Sequence, residues 1–128
     1  TDLCKTAHVA GRKPLKCLSL ADNMSFITAI GNDLSFDDIF SRQLENAVGK
    51  GDVVLLISGS GNSPNLLRAA AYAKAKGART VALLGFDGGR LKKAVELSIL
   101  VPSDQYGVIE DLHLSIGHIL TFYLKQRQ

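Results

Sequence analysis

The sequence predicts an α/β fold in which helices cover both faces of a parallel sheet. Short apolar runs alternate with longer segments whose apolar residues recur at helical spacing. The run at residues 53–57 is apolar throughout, which is typical of a strand covered on both faces. Strands separated by helices of this length imply crossover connections and therefore parallel pairing. The 128 residues, 46% of them hydrophobic, suffice for a core, and we expect a single domain over residues 1–128.

The first half of the chain holds one predicted strand and two helical segments. Residues 15–20 are rich in apolar side chains and are predicted to form a short strand. Residues 26–30 follow as a helical piece that ends at the polar turn 31–33. Ser35 is a natural N-cap for a helix over residues 36–48, because apolar side chains recur there at helical spacing before two glycines end it.

The second half alternates strands and helices more regularly. Strands are predicted at residues 53–57, 80–84 and 97–101, and helices at residues 64–76, 90–95 and 107–125. Ligands of such folds bind beyond the carboxyl ends of the strands. We therefore expect three polar loops to converge on one edge of the sheet, at residues 21–25, 58–63 and 85–89.

The loop after the strand at 53–57 has the composition of an anion-binding site. It carries the hydroxyls of Ser58, Ser60 and Ser63 with two glycines, and Pro64 then opens a helix. Backbone N–H groups at a helix N-terminus, the positive end of the helix dipole and hydroxyl donors together suit a phosphate. No lysine follows, so this is not a nucleotide-binding P-loop. The alternative is that these residues only cap the helix and tighten the turn.

Composition and charge argue against several classes of function. The net charge of +3 is small and, apart from residues 11–16, the basic residues are scattered, so no basic stripe indicates a nucleic-acid partner. No apolar run approaches the roughly 20 residues that span a bilayer, and no signal peptide is visible. Cys4 and Cys17 form no C-x-x-C motif and are predicted to be ordinary reduced thiols of a cytoplasmic protein. The chain begins without a methionine, from which we expect an N-terminally incomplete domain.

With these residues in place, the chain resembles the sugar isomerase (SIS) domain family and, within it, the phosphoheptose isomerases. The matching stretches lie in the expected order along nearly the whole chain: TAIGND at residues 28–33, Phe40 with Arg42-Gln43, GDV at 51–53, ISGSGNSPN at 57–65, DGG at 87–89, VPS at 101–103, HL at 113–114 and GHIL at 117–120.

The resemblance implies a fold and an activity. It implies a three-layer αβα sandwich of the flavodoxin-like or Rossmann-like type with a five-stranded parallel sheet, assembled as a homotetramer with shared sites. It implies isomerisation of sedoheptulose 7-phosphate to D-glycero-D-manno-heptose 7-phosphate, for lipopolysaccharide or another surface sugar. Ser58, Ser60 and Ser63 would hold the phosphate with the neighbouring backbone amides, and Gly59 stands where the family has a threonine. A further phosphate-side loop of the family has no counterpart in these residues.

The resemblance also assigns candidate catalytic residues. Asp2 falls at the place of the glutamate that acts as base in the heptose enzymes, and His118 matches the histidine that we expect to be the general acid. Asp22 resembles an aspartate that contacts the sugar, although a turn-stabilising role is an open alternative. A few members of the family bind zinc, and Glu110 and His118 would be two of the ligands. They are eight residues apart, a rise of roughly 12 Å along a helix, so they can approach one ion only if Glu110 lies at a frayed helix start.

A non-catalytic function is the alternative. Relatives of this fold bind a replication initiator as tetramers, and others sense sugar phosphates within transcriptional regulators. Departures from the isomerase pattern at Asp2, Thr6, Gly59 and Glu110 favour this alternative, whereas the serine loop combined with His118 favours the enzyme. His113, five residues from His118, is expected to make a structural or intersubunit hydrogen bond instead.

Overall fold

The structure is a computed structural model that describes residues 2–127. Its helices are α1 (Met24–Asp33), α2 (Ser41–Ala47), α3 (Pro64–Ala75), α4 (Leu91–Ala94) and α5 (Tyr106–Arg127), and a 3₁₀ turn spans Phe36–Asp38. Its strands are β1 (Val53–Ser58), β2 (Arg79–Leu84) and β3 (Leu97–Leu100). All six elements after residue 52 lie within two residues of the bounds that the sequence predicts. The predicted α/β class is confirmed.

The three strands form one parallel sheet in the order β1-β2-β3. Ser58 pairs with Leu84, and Leu84 pairs with Leu100, so the three strands end level with one another. The loops that follow them therefore start at the same edge. This edge carries the serine loop, which we define as residues 58–63.

The main core lies on the sheet face that α3 covers. Leu56, Ala82 and Leu84 point to this face and pack with an alanine stripe on α3, at Ala69, Ala70 and Ala73. The small side chains let the helix backbone approach the strands closely. Leu91 of α4 closes the cluster and is fully buried, a burial worth roughly 1.5–3 kcal/mol.

Within residues 2–127, the opposite sheet face is covered only near the carboxyl ends of its strands. There Leu83 is buried, and Ile109 of α5 packs against Gly85. Further back on this face, the apolar side chains of β1 and β3 are exposed: Val53, Leu55, Ile57, Leu97 and Ile99. Helix α5 also exposes apolar side chains, among them Ile119 and Phe122. We call the five exposed strand residues together the open apolar face.

The prediction of a strand at residues 15–20 is wrong. The described residues contain three strands, whereas the resemblance implies five. A strand exists only where its backbone forms hydrogen bonds with a neighbouring strand. A run of apolar side chains does not by itself supply that neighbour. Here the end of the segment is held by a side chain instead, because Gln43 Nε2 donates to the carbonyl of Leu20 at 2.9 Å. Leu18, in the middle of the segment, is 69% exposed.

The single helix predicted over residues 36–48 is interrupted. Ser35 does cap its start, since its side chain accepts from the Asp37 N–H at 3.1 Å. The first turn is a 3₁₀ turn, however, and α2 begins only at Ser41, whose hydroxyl donates to the carbonyl of Asp38 at 3.2 Å. Arg68 of α3 binds the carboxylates of both Asp37 and Asp38, so a tertiary contact holds the turn in place.

Among residues 2–127, no helix is both long enough and apolar enough to cross a membrane. Helix α5 has the length, at 22 residues, but its sequence carries charged and polar side chains throughout.

Candidate functional site

The serine loop is organised by its own hydroxyls. Ser58 Oγ accepts from the Gly61 N–H at 3.0 Å, and Ser60 Oγ accepts from the Asn62 N–H at 3.3 Å. Gly61 has a φ of 65°, a left-handed conformation that glycine adopts without strain. In both bonds the serine is the acceptor, so each hydroxyl keeps its proton for donation to a ligand oxygen. The loop is thus pre-shaped and still carries donors.

Helix α3 begins directly behind this loop, as predicted. Ser63 occupies the N-cap position in an extended conformation and Pro64 follows as the first helical residue. The Ser63 side chain makes no capping hydrogen bond, and Asn65 Oδ1 accepts from the Leu66 N–H at 2.8 Å. The Ser63 hydroxyl is therefore not engaged by the helix start and is available beside the positive end of the helix dipole.

The loop after β2 is locked against the serine loop. The Gly85 N–H donates to the Gly59 carbonyl at 2.8 Å, and the Leu91 N–H donates to the Gly61 carbonyl at 2.9 Å. A Cβ on Gly61 would collide with the Gly88 carbonyl oxygen, and one on Gly89 would collide with the Ser60 carbonyl oxygen. Two of the three loops expected to converge are therefore in direct backbone contact.

Tyr106 explains why residue 59 is a glycine. A Cβ at Gly59 would lie 2.7 Å from Cε1 of the Tyr106 ring, so the ring occupies the space of a side chain at that position. Phe86 packs edge-on against the ring, with centroids 5.0 Å apart. Phe86 holds a φ of 50°, unusual for a residue with a side chain, and its N–H donates to the Ser103 carbonyl at 3.0 Å. The aromatic pair therefore forms a fixed wall beside the serine loop.

A cleft of about 860 Å³ opens in front of this wall. It is lined by polar and aromatic side chains, among them Ser60, Asn62, Tyr106 and the two acids Asp87 and Asp104. Asp87 Oδ1 accepts from the Gly89 N–H at 2.9 Å, which fixes that carboxylate. A phosphate is expected at the serine end of the cleft, since carboxylates repel it. The acids suit hydroxyl groups, which donate to carboxylates.

Asp2 and His118 are in direct contact although they lie at opposite ends of the chain. His118 Nδ1 lies 3.1 Å from Asp2 Oδ2, and both side chains are about half exposed. The Thr6 hydroxyl donates to Asp2 Oδ1 at 3.3 Å, so the two carboxylate oxygens have different partners. A turn at residues 2–7 holds this arrangement, with the Thr6 N–H donating to the Asp2 carbonyl at 2.9 Å. A carboxylate on one imidazole nitrogen orients the ring and leaves the other nitrogen for chemistry.

Asp22 lies in a different cleft from the serine loop. This second cleft, of about 640 Å³, is lined by residues 18–20, 22–26, 43, 46 and 47. Its neighbour Asn23 caps α1, accepting from the Phe26 N–H at 3.0 Å. The loop at residues 21–25 shows no hydrogen bond to the serine loop within the described part of the chain.

Comparison with known proteins identifies the family. The sequence pattern of the SIS domain matches residues 6–85, more than half of the chain. The chain belongs to the SIS domain family. The match covers β1, the serine loop, α3 and β2, which are the elements that position the candidate phosphate site.

Relatives of this SIS domain are phosphoheptose isomerases. The one from a Nitratiruptor species is 48% identical over 109 residues, and the one from a Geobacter species (strain M21) is 50% identical over 109 residues. These alignments cover 85% of this chain but only 58% and 57% of the relatives. The chain thus spans less than three fifths of the length of these curated relatives.

Solved structures of phosphoheptose isomerases are also similar to this chain. A phosphoheptose isomerase from Francisella tularensis superimposes with a TM-score of 0.90 at 31% identity, over 98% of this chain and 68% of that one. The phosphoheptose isomerase from Neisseria gonorrhoeae gives a TM-score of 0.89 at 29% identity, over 98% and 66%. Both of these neighbours are phosphoheptose isomerases.

The zinc ligands implied by the resemblance do not form a complete set. Residues 2–127 contain no group of three His, Cys, Asp or Glu side chains able to hold a metal ion. Glu110 is exposed on α5, a rise of roughly 12 Å from His118, inside regular helix rather than at a frayed start. Asp2 and His118 supply two neighbouring donors, whereas a catalytic zinc takes three protein ligands. The described residues therefore do not fit this metal.

His113 is buried, and its Nε2 has no hydrogen-bond partner among the described residues. It lies on the buried stripe of α5, four residues from Ile109 and eight from Thr121. The structural or intersubunit hydrogen bond expected for it stays a prediction.

Several residues of the site were not predicted as functional groups from the sequence, among them Thr6, Tyr106, Asp87 and Asp104. In the sequence, Thr6 is only a departure from the family pattern, although its spacing of four from Asp2 suits a bond across one helical turn. No pattern in the sequence indicates that the ring of Tyr106 fills the space beside Gly59.

Proposed function

We propose that the protein is a sugar-phosphate isomerase that interconverts sedoheptulose 7-phosphate and D-glycero-D-manno-heptose 7-phosphate through an enediol. Its similarity to phosphoheptose isomerases supports the reaction class. The observation that carries the proposal is the 3.1 Å contact between Asp2 and His118, because it brings together the two residues that we propose as base and acid, which lie far apart in sequence.

The serine loop would hold the phosphate. The hydroxyls of Ser58, Ser60 and Ser63 supply donors, and the N-terminus of α3 supplies a favourable dipole. The backbone at Gly59 would approach the phosphate, and the ring of Tyr106 fills the space above it. A charge-assisted hydrogen bond from each hydroxyl is worth about 1.5–3 kcal/mol.

The reaction moves one proton between neighbouring carbons. The Asp2 carboxylate would remove the proton from the carbon next to the carbonyl, and His118 would donate a proton to the carbonyl oxygen, giving the enediol. Asp2 then returns its proton to the other carbon while His118 recovers one from the hydroxyl that becomes the new carbonyl. Thr6 would hold the Asp2 carboxylate in place through its bond to Oδ1.

The remaining sugar hydroxyls would meet acidic side chains. Asp87 and Asp104 line the cleft beside Ser60 and accept hydrogen bonds from hydroxyl groups. Asp22 remains the predicted contact of the sugar, and its place in the second cleft requires the substrate or the loop at residues 21–25 to bridge the two clefts. Glu110, exposed on α5, remains a predicted substrate contact.

We also propose a homotetramer located in the cytoplasm. The open apolar face supports association, since exposed patches of this kind mark protein interfaces. Two free thiols support a reducing compartment. Light scattering of the purified protein tests the tetramer, and a monomer at micromolar concentration would contradict it.

The activity is tested with the full-length protein and sedoheptulose 7-phosphate, following the aldose product by NMR with and without added zinc. We expect turnover that a His118→Ala change lowers roughly a hundredfold in kcat. Unphosphorylated sedoheptulose is the matched control and should turn over far more slowly. No turnover in either metal condition would overturn the proposal.

A further inference from the structure

Two cysteines that lie thirteen positions apart in the sequence meet in the structure. The Cys4 thiol donates to the carbonyl of Cys17, with Sγ 3.1 Å from the oxygen. Both side chains are exposed, so a small reagent can reach them.

The environment of the two thiols differs from that of isolated cysteines. Partial burial and the neighbouring Cys4 thiol raise the pKa of Cys17 above its ordinary value. Cys17 is therefore mostly protonated near neutral pH and reacts faster as the pH rises. Free cytoplasmic thiols that pair in this way serve as transient redox groups more often than as permanent structural bonds.

We propose that Cys4 and Cys17 form a redox modification site, at which a peroxide oxidises the two neighbouring thiols to an intramolecular disulfide. The inference rests on the contact between the Cys4 thiol and the backbone carbonyl of Cys17 and is independent of the proposed isomerase activity.

The chemistry balances with one peroxide molecule. One thiolate attacks a peroxide oxygen, the O–O bond breaks and hydroxide leaves, which produces a sulfenic acid. The second thiol attacks that sulfur, its proton joins the departing hydroxide, and the S–S bond forms. Two thiols and one hydrogen peroxide thus give one disulfide and two waters. The disulfide requires the two sulfurs to approach to about 2 Å, and the Cys4 sulfur already lies 3.1 Å from the carbonyl oxygen of Cys17.

The bond would change the part of the chain that carries Asp2. It would close residues 4–17 into a loop and tether the turn at residues 2–7 to the irregular segment at residues 13–19. Asp2 and Thr6 belong to this turn, and Asp2 contacts His118. Oxidation would therefore fix the position of Asp2 relative to residues 13–19. In the reduced protein, hydrogen bonds alone hold Asp2 in place.

The test oxidises the reduced full-length protein with hydrogen peroxide, then denatures it and alkylates the remaining thiols. We expect both alkylation sites to disappear together, with loss of two hydrogen atoms from the intact mass and full recovery after reduction. Trypsin should then release the peptide that ends at Lys5 joined to peptide 17–42, because cleavage after Lys5 and Lys16 separates the two cysteines. The same chain unfolded in urea should form this bond more slowly.

Two variants serve as matched controls. Cys4→Ser and Cys17→Ser each keep one thiol and should show no loss of two hydrogen atoms under the same treatment. A covalent dimer of the wild-type protein, separate oxidation of the two thiols, or disulfide formation no faster in the folded chain than in urea would each overturn the proposal.

Discussion

Replacing Asp2 with asparagine should lower kcat by at least about a hundredfold. The change keeps the size of the side chain and its ability to bond Thr6 and His118, but it removes the negative charge and the capacity to accept a proton from carbon. If Asp2 is the base, the expected loss is that of general base catalysis, about 10²–10⁴.

A smaller fall in kcat is expected if Asp2 is not the base and acts only through its ion pair with His118. The Asp2–His118 pair is about half exposed on both sides, and exposed ion pairs are worth about 0.2–1 kcal/mol. If Asp2 acts only through the strength of this exposed ion pair, its loss should therefore change the rate by no more than about fivefold. The two roles predict effects that differ by more than a factor of about ten.

The assay is the initial rate of aldose formation from sedoheptulose 7-phosphate at several substrate concentrations, which separates kcat from KM. Asp111→Asn, at an exposed acid on α5, is the matched control for loss of one negative charge and should keep the normal rate. Asp2→Glu should retain most of the activity, because it keeps the carboxylate. A fivefold or smaller fall in kcat for Asp2→Asn, with KM unchanged, would refute the role of Asp2 as base.

Three further changes test the site and its frame. Ser60→Ala should raise KM roughly 10- to 100-fold with little change in kcat, because one bond to the phosphate is lost, and an unchanged KM would count against this role. Gly61→Ala should lower the free energy of unfolding by about 2 kcal/mol or more in a urea titration, because its Cβ meets the Gly88 carbonyl at a φ of 65°, and equal stability would contradict the close approach. Arg68→Gln should shift acid unfolding to higher pH. The Arg68 guanidinium lowers the pKa of Asp38 below its ordinary 3.8, so the pair stabilises the fold above that pH, and this is lost as pH falls through the lowered pKa. A coincident acid transition for wild type and variant, followed by circular dichroism, would contradict this.

Local sequence patterns were sufficient to predict the part of the fold that carries the serine loop. The uninterrupted apolar run of β1 and the Ser63-Pro64 pair each favour one local structure strongly, and both elements start where predicted. Residues 15–20 show where such signals fail. An apolar stretch becomes a strand only by pairing, and Gln43, which binds the Leu20 carbonyl, is a partner that no local pattern indicates.

The same distinction applies to the candidate site: some of its residues are neighbours in sequence, and others are brought together only by the fold. Ser58, Ser60 and Ser63 are neighbours in sequence, so their shared loop could be predicted from residue type. The contact between Asp2 and His118 brings together opposite ends of the chain, and only the resemblance to a family pointed to both residues. The contact between Cys4 and Cys17 lies outside any short cysteine motif, so the sequence alone predicted two separate ordinary thiols.

The backbone contact between the two loops limits how this site can be engineered. Gly61 and Gly89 each leave no room for a side chain because the opposing loop fills that space, so neither loop has its shape alone. A serine loop grafted onto another α/β protein would need the segment at residues 85–91 grafted with it. The smallest transferable phosphate cradle in this fold is thus a pair of loops from two neighbouring strands, with the helix start of α3 behind them.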